Sequence, residues 1–255
     1  MSYPADILES RAVIKHGNYA IIPPNGLVNN VVPGFENCKV SIVASPKLGA
    51  SFVSYVVEAL PQVGRTSTPF AADTGIESFL YCISGEGEAV VEGRRIQLTE
   101  GAYAYAPAGM GISFSNTSVN PLRLFLYKQR YIPLEGFDAK AVSANANNME
   151  YRFYEGMENV LIKDLLPTDL GFDMNFHILS FLPGGSHPFI ETHVQEHGAY
   201  ILSGQGAYYL GEEWRMIKQG DFVWFGPYTT QGAYGVGREP FTYVYSKDCN
   251  RDVDL

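Results

Sequence analysis

The stretch from Gly185 to Gly204 contains three side chains that could bind one transition metal together: Glu191, His193 and His197. Glu191 and His193 are two residues apart, so on a strand they would point to the same face. His197 follows four residues later and can return to the same place across a bend. A fourth candidate, Gln231, lies further along the chain. Two imidazoles, a carboxylate and an amide oxygen, without a thiolate, suit Mn, Fe, Ni or Zn better than Cu(I).

The spacing of these residues resembles the two sequence motifs of cupins. The first motif is a glycine, five residues, His-x-His, three or four residues, a glutamate, six residues and a glycine. The same frame runs from Gly185 to Gly204, with the glutamate and histidine types exchanged. The second motif begins at Gly220, and its histidine slot falls on Gln231, with Pro227 one place late. Two motifs in register imply a cupin fold.

The composition indicates a globular protein rich in turns. The chain has 255 residues, of which 46% are hydrophobic, 26 are glycine and 15 are proline, which favours an all-β fold. The net charge is −9 and basic residues do not cluster. This charge argues against nucleic acid or an anionic membrane as a partner.

The cysteines and the N-terminus indicate the cellular compartment. Cys38, Cys82 and Cys249 are far apart and odd in number, so we expect a reducing environment without a disulfide framework. Cys249 has no histidine nearby in sequence that could act as its base, and no role is assigned to it. Neither a signal peptide nor an apolar run of ~20 residues is present. We expect a cytoplasmic protein.

An internal repeat divides the chain into two similar halves. Glu77–Gly87 aligns with Glu196–Gly206, and Gly101 aligns with Gly220 in the same register. The repeat predicts an all-β bicupin, with two cupin-type β-barrels (double-stranded β-helices) in one chain. The expected boundaries are an N-terminal arm at 1–37, a first barrel at 38–132, a connector at 133–165 and a second barrel at 166–255.

The two halves differ at the candidate ligand positions. Projected onto the first half, these positions fall on side chains that do not bind transition metals, namely Ala72, Thr74, Ser78 and Ile112. The first barrel is therefore predicted to be structural and the second to bind the metal.

The remaining polar residues leave alternatives open. His187, before Pro188, is interpreted as a loop residue and not a ligand. His177 could be a hydrogen-bonded core histidine or could line the barrel. Glu196 and Gln195 are expected to face outward or to lie behind the ligands.

The last predicted strand has an alternating pattern. Phe241, Tyr243, Tyr245 and Lys247 share one face. If that face is inward, Lys247 enters a cavity; otherwise it reaches water at the strand end. Tyr208 could be a packing residue or a substrate contact.

Over nearly its whole length the chain resembles the (S)-ureidoglycine aminohydrolase family of bicupins. The resemblance includes Glu191–Gly198, Gly220–Trp224 and Ser246–Arg251. It implies a manganese enzyme of purine (allantoin) degradation that hydrolyses (S)-ureidoglycine to (S)-ureidoglycolate and ammonia, and a homo-oligomer.

The same resemblance implies the roles of individual residues. The metal ligands would be Glu191, His193, His197 and Gln231. Substrate contacts would fall on Tyr208, Tyr243 and Lys247, together with Gln231, and proton transfer would involve Glu191 and Lys247.

Two other functions fit the same ligand set. A His/His/Glu site also suits Fe(II) or Ni with O₂, as in a bicupin dioxygenase. A non-catalytic bicupin could bind or store a ligand. Metal analysis, oxygen consumption and ammonia release distinguish these functions.

Overall fold

The computed structural model describes residues 10–247 and 251–253, so Cys249 lies outside the described residues. It confirms the all-β prediction, because the described residues contain strands and two 3₁₀ turns, Pro24–Gly26 and Ala146–Asn148, but no α-helix. None of the described segments is a helix that could span a membrane. The strands are β1 (Val13–Lys15), β2 (Tyr19–Ile22), β3 (Phe35–Glu36), β4 (Cys38–Ala44), β5 (Val53–Ala59), β6 (Arg65–Thr66), β7 (Ile76–Ser84), β8 (Gly87–Val91), β9 (Arg94–Leu98), β10 (Ala102–Ala106), β11 (Ser113–Ser115), β12 (Leu122–Arg130), β13 (Val142–Asn145), β14 (Arg152–Tyr154), β15 (Met157–Asp164), β16 (Asn175–Phe181), β17 (His197–Ser203), β18 (Gln205–Leu210), β19 (Glu213–Lys218), β20 (Phe222–Phe225), β21 (Gln231–Val236) and β22 (Phe241–Lys247).

Each half of the chain consists of two sheets. In the first half the orders are β13-β10-β7-β12-β5-β4 and β3-β6-β11-β8-β9. In the second half they are β1-β2-β20-β17-β22-β16-β15-β14 and β19-β18-β21. The paired sheets enclose one hydrophobic core in each half, which is the architecture expected of a bicupin.

The arm and the connector take part in the sheets. Strand β2 of the arm pairs with β20 of the second half, Tyr19 lying opposite Phe225. In the interval 133–165, β13 pairs with β10 of the first half, whereas β14 and β15 join the large sheet of the second half. The interval expected to be a connector therefore contributes strands to both halves.

The alternating alanine and tyrosine side chains of strand β10 contribute to two different hydrophobic cores. Its sequence is Ala-Tyr-Ala-Tyr-Ala, and every residue is buried. The alanines face the interior of the first half. Tyr103 and Tyr105 face the opposite way and join a third core that contains residues of both halves. Successive side chains of a strand point to opposite faces, so this strand is covered on both sides.

The third core joins the halves through aromatic rings. Phe79 of the first half stacks on Phe176 of the second, with ring centroids 3.7 Å apart and an interplanar angle of 5°. Tyr127 meets Phe176 edge-on at 5.1 Å. Each fully buried ring contributes about 1.5–3 kcal/mol through removal of apolar surface from water. The two halves thus pack against each other through a shared aromatic core.

Candidate metal centre

The four candidate ligands line one cavity in the second half. It has a volume of about 160 Å³ and contains Glu191, His193, His197 and Gln231 in its wall. His197 is the first residue of β17, and Gln231 is the first residue of β21. The cavity lies between the large sheet and the three-stranded sheet of this half. The structure therefore brings together the residues that the sequence motifs select.

The backbone holds Glu191 beside Gln231. The two residues form an isolated β-bridge with reciprocal N–H···O bonds, both of 2.9 Å. Glu191 and His193 do not lie on a common strand, because residues 192–196 lie outside any strand. A backbone bond of 2.8 Å from the Tyr228 N–H to the His193 carbonyl holds this segment instead.

The two imidazoles present their Nε2 atoms to each other. Nδ1 of His193 lies 2.9 Å from the Gln195 carbonyl oxygen, and Nδ1 of His197 lies 2.8 Å from the Ser246 carbonyl oxygen. A carbonyl accepts only, so both Nδ1 atoms carry the proton and both Nε2 atoms have a free lone pair. The two Nε2 atoms are 3.3 Å apart. Two lone pairs that converge in this way fit a shared cation, and the carbonyls orient the rings as metal sites require.

Burial keeps both imidazoles in the form that binds metal. The pKa of His193 is lowered, first by burial and then by the Lys247 charge. The pKa of His197 is well below its ordinary value because of burial and, next, the neighbouring His193. Neutral imidazole is the metal-binding form.

The carboxylate and the amide are paired with each other. The Gln231 Nε2 donates to Glu191 Oε1 and lies 3.5 Å from His193 Nε2. Within residues 10–247 and 251–253, no three His, Cys, Asp or Glu side chains already surround a common ion position. The amide oxygen of Gln231 accepts from the Tyr208 hydroxyl at 3.1 Å. Rotation of the amide would exchange oxygen for nitrogen, and the hydroxyl can donate or accept, so this side chain can serve as an oxygen ligand.

The predicted substrate contacts line the same cavity. Tyr208, Tyr243 and Lys247 are all part of its wall, and the two tyrosine hydroxyls are 3.5 Å apart. Burial raises the pKa of both tyrosines, so both stay protonated. On β22, Lys247 lies opposite His197 of β17 in register. Of the two alternatives, the structure has Lys247 entering the cavity.

His187 lies outside any strand, as its sequence position indicated, and it also lines the cavity. Its backbone N–H donates to the Ala233 carbonyl at 3.0 Å, which places it beside β21. Its ring packs edge-on against Phe181, with centroids 5.0 Å apart. The pairing with Ala233 spans 46 residues, so only the tertiary structure reveals it. His177, by contrast, is buried, and its Nδ1 forms a hydrogen bond of 2.8 Å with Asp164 Oδ1.

Glu196 lies behind the ligands and connects the two halves. Its Oε1 accepts from the backbone N–H of Ser51 at 2.8 Å and from the Ser51 hydroxyl. Its Oε2 accepts from Trp224 Nε1 at 2.9 Å. Because Glu196 immediately precedes His197, these bonds hold the end of the ligand segment. Gly198, the residue after His197, leaves space for Phe52, because a Cβ at this position would lie 2.6 Å from the Phe52 ring.

The equivalent positions in the first half hold no such site. Ala72 and Thr74 are exposed, whereas Ser78 and Ile112 are buried. Ile112 forms a β-bridge with Phe70 and belongs to the apolar core of this half. None of these four side chains carries an imidazole or a carboxylate.

The amino-acid sequence is similar to those of known proteins over nearly its whole length. The cupin domain model matches residues 59–127 and 177–246. The chain is 54% identical to (S)-ureidoglycine aminohydrolase of Escherichia coli strain K12, over 99% of this chain and 97% of the relative. It is 30% identical to probable (S)-ureidoglycine aminohydrolase of Oryza sativa subsp. japonica, over 95% of this chain and 76% of the relative.

The chain is also similar to solved structures in its fold. The crystal structure of protein Ylba from E. coli matches with a TM-score of 0.88 and 50% identity, and both chains are covered completely. Oxalate decarboxylase of Bacillus subtilis matches with a TM-score of 0.65 and 14% identity, over 98% of this chain and 82% of that chain. The second similarity shows a shared bicupin fold.

Proposed function

Since the chain belongs to the (S)-ureidoglycine aminohydrolase family of cupin proteins, we propose that it hydrolyses (S)-ureidoglycine to (S)-ureidoglycolate and ammonia in allantoin catabolism. The observation that carries this proposal is the convergence of Glu191, His193, His197 and Gln231 in one cavity of a chain 54% identical to a named relative.

We propose Mn(II) as the cofactor, held by these four side chains. Their nitrogen and oxygen donors fit a metal that accepts mixed ligands and more than four of them. When bound, the metal would supply Lewis-acid polarisation and fixed positions for the substrate. The fit rests on the facing Nε2 atoms of His193 and His197 and on the adjacent carboxylate and amide.

The substrate carries a carboxylate, an amine and a ureido group on one carbon. Lys247 is an ammonium group in the cavity wall and would pair with the carboxylate. The Tyr208 hydroxyl, bonded to Gln231, and the adjacent Tyr243 hydroxyl would orient the remaining groups. Burial excludes bulk water from both tyrosines.

The reaction replaces one bond to this carbon. The C–N bond to the amine breaks, a proton moves to the departing nitrogen, and the oxygen of water forms the new C–O bond while losing a proton. Lys247 or Glu191 would move these protons, since both reach the cavity. We propose that ammonia leaves first: the C–N bond to the amine breaks, the ureido N–H proton moves to the departing nitrogen, and a C=N imine forms. Water then adds to this carbon from one face and returns a proton to the ureido nitrogen.

Freshly prepared (S)-ureidoglycine with the Mn(II)-loaded protein tests the function. Ammonia release is followed by a coupled assay, with and without O₂ and with and without a chelator. A protein-free sample corrects for spontaneous loss of ammonia. We expect release that is independent of O₂ and abolished by the chelator. Absence of ammonia together with oxygen consumption would favour the dioxygenase function, and tight ligand binding by metal-free protein would favour a binding protein. We also propose that the protein is cytoplasmic and forms a homo-oligomer.

A further inference from the structure

His187 has a fixed tautomer. The backbone N–H of Ala233 donates to His187 Nδ1 at 2.9 Å, so Nδ1 carries the lone pair. In a neutral imidazole the proton then lies on Nε2. This is the opposite tautomer to that of His193 and His197, whose Nδ1 atoms face carbonyl oxygens. His187 is therefore a hydrogen-bond donor at Nε2, where the two candidate ligands are acceptors.

The donor of His187 is available to a ligand. In the described part of the chain, the one side-chain hydrogen bond of His187 is the bond at Nδ1, and the residue lines the cavity. The ring cannot turn freely, because it packs edge-on against Phe181 and Tyr154, with centroids at 5.0 and 6.4 Å. Burial lowers its pKa, which favours the neutral donor.

His187 and Lys247 have different neighbours around the ligand set. His187 pairs with Ala233 on β21, the strand whose first residue, Gln231, forms the β-bridge with Glu191. Lys247, on β22, lies opposite His197 of β17 in register. The cavity thus has a neutral donor beside the Glu191 end and a cationic donor beside the His197 end.

Resting on the function proposed above, we infer that His187 is a specificity-determining residue that recognises the ureido end of the substrate. Its Nε2–H donates to the ureido carbonyl oxygen, while Lys247 binds the carboxylate. A neutral donor matches a neutral carbonyl acceptor, and it leaves the charged carboxylate to the ammonium group. A site built around such a donor rejects analogues that present an N–H at the same place, because two donors then face each other without an acceptor.

Two ligands test this recognition without turnover. N-carbamoylglycine carries the ureido carbonyl, whereas guanidinoacetate has a nitrogen donor in place of that oxygen. Their affinities for the Mn(II)-loaded protein are measured by calorimetry. We expect wild type to prefer N-carbamoylglycine by roughly ten-fold or more, the order of one hydrogen bond.

Two variants distinguish the role of Nδ1 of His187 from that of Nε2. In His187→Asn the amide oxygen replaces Nδ1 as the acceptor for Ala233, but the Nε2 donor is lost. In His187→Gln an amide N–H remains near the Nε2 position. We expect His187→Asn to keep the melting temperature and the Mn(II) affinity of wild type. Its affinities for N-carbamoylglycine and guanidinoacetate should differ by no more than about three-fold. His187→Gln should retain most of the preference, even with a lower melting temperature.

A wild-type preference in His187→Asn would overturn the inference. So would an equal loss in both variants that follows their melting temperatures, since the ring would then act only in packing. The proposed function is tested separately by ammonia release. A preference for N-carbamoylglycine without ammonia release would reject the proposed reaction but support recognition by His187. Ammonia release without this preference would support the reaction but reject recognition by His187.

Discussion

Glu77 in the first half and Glu196 in the second occupy equivalent positions of the internal repeat, and both are buried. Each carboxylate accepts a hydrogen bond from an aromatic donor at a second pair of equivalent positions. The Tyr105 hydroxyl donates to Glu77 at 2.5 Å, and Trp224 Nε1 donates to Glu196 at 2.9 Å. The repeat thus preserves a buried carboxyl group and its partner, while only the second half places that group next to a candidate ligand, His197.

Removal of the Glu196 carboxylate should weaken both the fold and the metal site. In Glu196→Ala the fully buried indole N–H of Trp224 loses its acceptor, and the bonds to Ser51 across the two halves are lost. An unsatisfied buried donor costs roughly 1–3 kcal/mol, so we expect a loss of that size in the free energy of unfolding. Urea denaturation of the metal-free protein measures it, and Mn(II) titration should show weaker binding.

The matched control is Glu212→Ala, at an exposed glutamate of the same half. This substitution should change neither the free energy of unfolding nor the affinity for Mn(II). Glu196→Gln keeps an acceptor for Trp224, so its free energy of unfolding should lie between those of Glu196→Ala and Glu212→Ala. A Glu196→Ala protein with the denaturation midpoint of wild type would contradict the assignment of a supporting role to this carboxylate.

Glu77 should make the protein less stable as the pH rises. Burial, and next the nearby Asp173, raise the pKa of Glu77 well above its ordinary value of 4.5. The folded state therefore keeps a proton that the unfolded state releases, and stability falls from about pH 4.5 up to the folded-state pKa. Glu77→Gln can retain bonds to Tyr105 and Gln129, so its free energy of unfolding should fall less over this range. Urea denaturation at several pH values measures the difference, and parallel curves for the two proteins would refute it.

The metal content should be one ion per chain. The second half supplies a nitrogen and oxygen donor set, whereas the equivalent first-half positions carry Ala72, Thr74, Ser78 and Ile112. Elemental analysis of the purified protein measures the ratio. His193→Ala should lose the ion, whereas His16→Ala, at an exposed histidine, should keep it. Mn(II) should restore activity to stripped protein better than Zn(II), which prefers four tetrahedral ligands. Two ions per chain would show that the first half also binds metal.

The sequence was sufficient to select the four residues that share the cavity, because motif spacing and the repeat are local properties of the chain. It was insufficient for the path of the backbone between them. On a strand Glu191 and His193 would share a face, but in the structure a bridge to Gln231 holds the first and a bond from Tyr228 holds the second. Such pairings depend on how distant segments meet, and alternation within one segment carries no information about them.

The same reason explains the contacts that the sequence could not supply. The tautomer of His187 depends on Ala233, and the position of Glu196 depends on Ser51 and Trp224. Similarly, the pairing of Tyr19 with Phe225 adds the N-terminal arm to the second half. By contrast, strand parity put Lys247 on the same face as Tyr243, since alternation along β22 is regular, whereas the direction of that face was left open by the sequence.

Lys247→Met should separate substrate binding from metal binding. Methionine keeps the apolar stem, so we expect the melting temperature to stay close to that of wild type. An ammonium group has no lone pair with which to bind a metal, so the Mn(II) content should also be unchanged. Loss of a charge-assisted contact to the substrate carboxylate should weaken the transition-state complex by roughly 1.5–3 kcal/mol, or about ten- to a hundred-fold in kcat/KM.

The comparison with ligand variants decides where Lys247 acts. Metal content and ammonia release are measured on the same preparations of Lys247→Met, Glu191→Ala and His197→Ala. The two ligand variants should lose metal and activity together, whereas Lys247→Met should lose activity alone. A fall confined to kcat would show that Lys247 also moves a proton in the transition state. Full activity in Lys247→Met would mean that its ammonium group, although in the cavity wall, makes no contact with the substrate.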